Sequence, residues 1–182
     1  MKIFIFILAV CTGATITAAQ PSRTEFTTRV NPMHDSRPNN VSVPDVYSIS
    51  TEFDSILVLR FKYDVDLLTS LDSLMKSYKI QNAVILSGIG SVRNYRYHVV
   101  SNRTFPTKNM IVKDPSAPAD IVSMNGYVIN GNVHVHITFS DADKSFGGHL
   151  ELGTNVFTFA IVTIGVFKDG IDLKRADDKT YR

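Results

Sequence analysis

The chain has 182 residues, 44% hydrophobic and 20% charged, with a formal net charge of +2. That length supports one ordinary domain with a sizeable core, and the near-neutral balance argues against a nucleic-acid partner. A single cysteine, Cys11, excludes an intramolecular disulfide framework.

Residues 1–19 read as a secretory signal peptide. Lys2 precedes an unbroken apolar run from Ile3 to Val10, and small residues at Thr17 and Ala19 place the cut before Gln20. The run is too short to span a bilayer as a helix. The mature protein is therefore expected outside the cell, without its only thiol and with 18 basic against 17 acidic residues. The last residues, ADDKTYR, match no anchor or retention signal, so no membrane anchor is expected.

Residues 20–45 carry four of the seven prolines, Pro21, Pro32, Pro38 and Pro44, among scattered polar residues. Such a stretch cannot bury enough surface to offset its ordering entropy, and it reads as a flexible or extended tail. Two sequons, Asn40-Val41-Ser42 and Asn102-Arg103-Thr104, are glycan acceptors if the protein is secreted from a eukaryotic cell.

Residues 46–182 read as a single domain. Ser55 to Phe61 is rich in β-formers and predicts a strand. Asp64 or Asp66 caps a helix whose apolar face is Leu67, Leu68, Leu71, Leu74, Met75 and Tyr78. A short buried strand, Ala83 to Leu86, ends in the bend SGIGS, Ser87 to Ser91, and strands follow at Val92 to Val100 and Ile121 to Ile129. Asn130-Gly131 is a strong hairpin signal leading into NVHVHITFS. The run Phe157 to Phe167 suits a central strand. The class expected is α+β, a mostly antiparallel sheet with one principal helix.

The stretch GNVHVHITFSDADKSFGGHLELG, Gly131 to Gly153, holds three of the five histidines. Strand alternation puts His134, His136, Thr138 and Ser140 on one side, with Val133, Val135, Ile137 and Phe139 on the core side. A wet sheet face needs polar residues, and histidine serves there without any ligand. The turn Asp141-Ala142-Asp143-Lys144 adds a second constraint, however. A hairpin centred between Ala142 and Asp143 sets His136 opposite His149, with paired Cβ atoms about 5 Å apart and diagonal neighbours at roughly 7 Å. His134, His136 and His149 are then candidate ligands for a divalent ion such as Zn2+, with one position left for water. Gly147-Gly148 is either a bulge or a place where backbones approach closely.

Asp141, Asp143 and Glu151 are candidate bases for a metal-dependent hydrolase or lyase. Glu151 ranks first because it shares the strand parity of His149, though all three also read as ordinary surface charge. His98 reads as partly buried packing. The glycines of SGIGS are not followed by a helix pattern, so they do not form a dinucleotide loop. Arg93, Arg96, Arg103 and Lys108 are interleaved with Tyr95 and Tyr97, but a regular strand would put Arg93 and Arg96 on opposite faces.

The ordered motifs SGIGS (Ser87 to Ser91), ADIVSMNG (Ala119 to Gly126), HVHITFSD (His134 to Asp141) and GGHL (Gly147 to Leu150) resemble the PPC domain of plants and prokaryotes. The resemblance covers nearly all of residues 55–168. It implies a mixed α/β domain that assembles as a homotrimer. It also implies that His134, His136 and His149 bind a metal such as zinc, as in stand-alone prokaryotic relatives with no settled activity. In plants the domain accompanies AT-hook motifs and mediates association between nuclear proteins; this chain has no Arg-Gly-Arg-Pro hook, and no nucleic-acid partner is expected. Two departures concern carboxylates: Asp120 stands where the family usually has glutamate, and Ala160 where it often has one. Loss of the second weakens any carry-over of enzymatic chemistry.

Overall fold

The computed structural model describes residues 24–30 and 40–177. The expected leader at 1–19 lies outside the described residues. In chain order the elements are β1 (Glu25–Val30), β2 (Phe53–Phe61), α1 (Leu67–Ser77), β3 (Ala83–Val100), β4 (Lys108–Asp114), β5 (Ala119–Ile129), β6 (Asn132–Ser140), β7 (Ser145–Leu150) and β8 (Asn155–Phe167). A short 3-10 turn, Lys174–Asp177, follows. All named strands pair antiparallel within one eight-stranded sheet. Among the described residues the fold is thus mostly antiparallel sheet with a single short α-helix, and more dominated by sheet than the α+β expectation implied. Among the described residues, no helix is long and apolar enough to cross a membrane.

Helix α1 forms where the apolar spacing placed it. Asp66 caps it, accepting a hydrogen bond from the Thr69 amide at 2.7 Å, and Leu67, Leu71 and Met75 are buried beneath it. The other carboxylate oxygen of Asp66 accepts from the amides of Gly153 (2.6 Å) and Thr154 (3.1 Å). One side chain therefore satisfies orphan donors at the helix start and ties the helix to the loop between β7 and β8.

Two elements differ from expectation. The segment read as a tail contains β1, which pairs with β4 from Glu25↔Lys113 to Val30↔Lys108. All six of its residues are exposed, so what holds it is main-chain pairing on an open strand edge rather than buried surface. Composition reads burial and misses such pairing. The bend expected at SGIGS is instead the middle of β3, a continuous strand of 18 residues. Register shifts against β8 between Ile85 and Ser87, Gly90 and Val92, and Val92 and Asn94 bend the strand without breaking it.

That bend determines the architecture. The first part of β3 pairs with β8 and β5, and its last part pairs with β4 and β7. The path β3–β5–β6–β7 consequently returns to β3 and closes a circuit. Its interior holds the fully buried Phe139 with Val135 and Ile137 from β6. The rings of Tyr95, Tyr97, Phe139 and Phe146 meet there at centroid distances of 4.9 to 6.2 Å. Asn130 and Gly131 adopt φ of 51° and 75°, the paired positive values of the expected tight turn between β5 and β6.

Candidate metal centre

The β6–β7 hairpin is set by its turn. The Asp141 carboxylate accepts from the amides of Asp143 and Lys144, both at 2.9 Å, and the Asp141 amide donates to the Lys144 carbonyl at 3.1 Å. Ser140 then pairs with Ser145, and the unbroken register carries through to His136↔His149. The pairing derived from turn chemistry is the one observed. Ring centroids lie 5.5 Å apart for His134 and His136, 4.7 Å for His134 and His149, and 5.5 Å for His136 and His149. One nitrogen from each ring falls within 4.8 Å of the others.

Gly147 and Gly148 form no bulge in this hairpin; they allow close approach on both sides of β7. A Cβ at 147 would stand 2.0 Å from the Ile137 carbonyl oxygen, and one at 148 would stand 2.3 Å from that of His98. Any side chain there would push β7 away from β6 or β3. Within this seam Tyr97 pairs with Leu150 and His98 with His149.

Residues 49–168 match the family model of the Plants and Prokaryotes Conserved (PCC) domain. The chain belongs to the PCC domain family. No curated protein matches it in sequence. Similar solved structures include a metal-containing protein from Archaeoglobus fulgidus, at 20% identity and TM-score 0.56, with 68% of this chain and 86% of that one covered. A plant- and prokaryote-conserved protein from Pyrococcus horikoshii gives 20% and 0.56, covering 70% and 87%. A hypothetical protein from Salmonella cholerae-suis gives 18% and 0.57, covering 66% and 83%. At such identities the likeness establishes the fold.

In this PCC domain the three histidines present the donor chemistry of a transition-metal site: three imidazoles converging from two adjacent strands. Burial pushes the His136 pKa below its ordinary value, and the neighbouring imidazoles His134 and His98 push it further the same way. Both effects favour the neutral ring, which is the form that donates a lone pair to a metal.

The carboxylates fall out differently from one another. Glu151 follows the last residue of β7, and its Oε1 is 2.7 Å from His98 Nδ1. Arg29 Nη2, from β1, approaches the same oxygen at 3.9 Å. Asp141 is committed to its turn, and Asp143 is exposed in it. Asp120 is exposed on β5 opposite Ser140 and Ser91. Ala160 is fully buried opposite Phe61 and Gly90, so β8 contributes no carboxylate at that position.

His98 is the residue that sequence reasoning undervalued. It was expected as packing, and it is indeed mostly buried, but its ring stacks on that of His149 with centroids 4.4 Å apart and planes 26° apart. No local signal announces this contact. It depends on β3 bending far enough to meet β7.

Proposed function

We propose that the protein is an exported, stand-alone PCC-domain module that assembles as a homotrimer and holds a divalent transition-metal ion, Zn2+ foremost, on His134, His136 and His149. The observation carrying this reading is the convergence of three imidazole nitrogens within 4.8 Å on a register that the hairpin turn fixes. Three neutral nitrogen ligands and an open position suit Zn2+ and its borderline neighbours better than the hard, oxygen-seeking Mg2+ or Ca2+. The metal-containing relative from Archaeoglobus fulgidus supports the same reading.

The trimer draws support from an apolar outer face. Ile56 and Val58 on β2, Ile89 on β3, and Phe157 and Phe159 on β8 are all exposed in the single chain. A contiguous surface of this kind on neighbouring strands is characteristic of a protein interface. Export rests on the leader-like residues 1–19. Of the two sequons, Asn40 is the freer acceptor for a glycan. The Asn102 amide nitrogen is occupied by the Thr104 and Pro106 carbonyls at 2.7 and 2.9 Å.

Hydrolase or lyase chemistry at the same ion is the second reading, favoured by the open coordination position. It is less well supported than binding, because Glu151 is hydrogen-bonded to His98 and Asp141 is bound into its turn.

Elemental analysis of protein purified under metal-replete conditions tests the main reading. One ion per chain is expected in the unaltered protein, and a large loss in His149→Ala. An unaltered protein that carries no stoichiometric metal overturns it. A panel of small esters, lactones and phosphate esters, with His136→Ala as control, tests the second.

A further inference from the structure

An imidazole that serves as a ligand must hold one ring orientation, yet rotation about the bond joining ring to Cβ is broad and roughly two-fold for histidine. The His149 ring meets those of His134 and His136 edge to face at 4.7 and 5.5 Å, and His98, directly opposite across the β3–β7 seam, stacks on it at 4.4 Å with the planes 26° apart.

His98 is itself fixed. Its side chain is 16% exposed, and its Nδ1 is 2.7 Å from Glu151 Oε1, whose side chain is 22% exposed. An ionised carboxylate only accepts, so Nδ1 carries the proton and donates it, and the ring cannot flip without losing that bond. Glu151 stands two residues beyond His149, and the Glu151 amide donates to the Arg96 carbonyl of β3 at 3.0 Å. Ligand, stacking ring and carboxylate thus form one closed set bridging two strands.

We infer that His98 and Glu151 are positioning residues for His149: Glu151 locks the His98 ring, and the His98 ring face holds the His149 ring in its ligating orientation. This rests on the reading of His134, His136 and His149 as a metal centre. Neither residue need touch the ion, and His98 lies outside the set of nitrogens that converge. The contribution is preorganisation, since an orientation already held in the metal-free protein does not have to be bought on binding, and a carboxylate nearby favours the arriving cation.

The test is a competitive chelator titration with Zn2+, paired with the visible absorption spectrum of the Co2+-loaded full-length protein. His98→Ala removes both ring and hydrogen bond and is expected to weaken Zn2+ binding about tenfold to a hundredfold and to alter the Co2+ spectrum. His98→Phe keeps a ring face without the hydrogen bond and is expected to recover part of that loss, which separates orientation from mere folding. Glu151→Gln is expected to fall between the unaltered protein and His98→Ala. Unfolding of each metal-free variant, followed by circular dichroism, identifies any that fails to fold, and the Phe variant then decides. If the unaltered protein binds Zn2+ while His98→Ala, or a folded His98→Phe in its place, binds within twofold of it with the same Co2+ spectrum, this inference is overturned and the metal centre stands. If the unaltered protein binds neither ion, both fall together.

Discussion

His136 and His149 face each other across the β6–β7 hairpin in a register set by the Asp141 turn, and their rings meet edge to face at 5.5 Å. The two side chains point outward because Val135, Ile137 and Leu150 point inward and are buried. The core thus decides which face carries the histidines, and the turn decides which histidines meet.

Since His134 and His136 lie on the solvent side of β6, removing either should affect the ion far more than the fold. His134→Ala and His136→Ala should each lose most of the bound metal by elemental analysis. The stability of the metal-free protein should move by no more than about 0.5 kcal/mol in urea unfolding, as for surface substitutions generally.

Protonation offers a second handle. The pKa of His136 is lowered, so the folded chain binds fewer protons there than the unfolded chain does. By linkage its contribution to stability is present above the ordinary value of 6.5 and is lost as pH falls below 6.5 through the folded-state value. The metal-free protein should therefore lose thermal stability on acidification across that window, and His136→Asn should flatten the slope. Metal affinity should decline over the same range, because each ligand must be neutral to bind.

Gly148→Ala should be more damaging than its single added methyl suggests. The new Cβ would stand 2.3 Å from the His98 carbonyl oxygen, which is backbone and cannot turn aside, and 2.8 Å from Val99 Cγ1. A loss of about 1–3 kcal/mol in urea unfolding is expected, as for overpacked interiors. Metal affinity should fall with it, since the strand would be forced off the seam that sets His98 against His149.

Asp66 joins helix to sheet through three amides, those of Thr69, Gly153 and Thr154. Asp66→Ala should cost about 1–3 kcal/mol, the cap and the orphaned loop donors together. Asp66→Asn retains one oxygen acceptor, so differential scanning calorimetry should place it between the two.

The outer face of β2 and β8 provides a test of assembly. Val58, 70% exposed in the single chain, lies opposite Thr163 and two residues along β2 from the exposed Ile56. Val58→Glu should convert a trimer to monomer in sedimentation experiments while leaving circular dichroism unchanged, because the charge would be buried only in the assembly. Equal mass for both proteins would argue against this face as the interface.

The sequence displayed what depends on neighbours along the chain. Helix α1 with its Asp66 cap, the Asn130-Gly131 hairpin and the His136–His149 register all follow from local spacing and turn chemistry. What it concealed depends on distant pairing. β1 has no buried face to produce a pattern, and β4 falls in a stretch where no element was expected. The bends in β3 read as an interruption, since glycines mark both bulges and breaks. The same blindness hid His98, whose partners on β7 become neighbours only after the circuit closes. Nor did the sequence show that Glu151 would pair with His98.

The seam where β7 returns to β3 consists of two registered residue pairs, Tyr97↔Leu150 and His98↔His149, whereas β6 and β7 share five. A closed circuit opens first at its shortest ladder, so amide protons near this seam should exchange with solvent ahead of those in the β5–β6 hairpin. The candidate site stands at that clasp. An ion held on β6 and β7, with His98 resting against its ligand, would slow exchange there, turning hydrogen exchange into a readout of site occupancy.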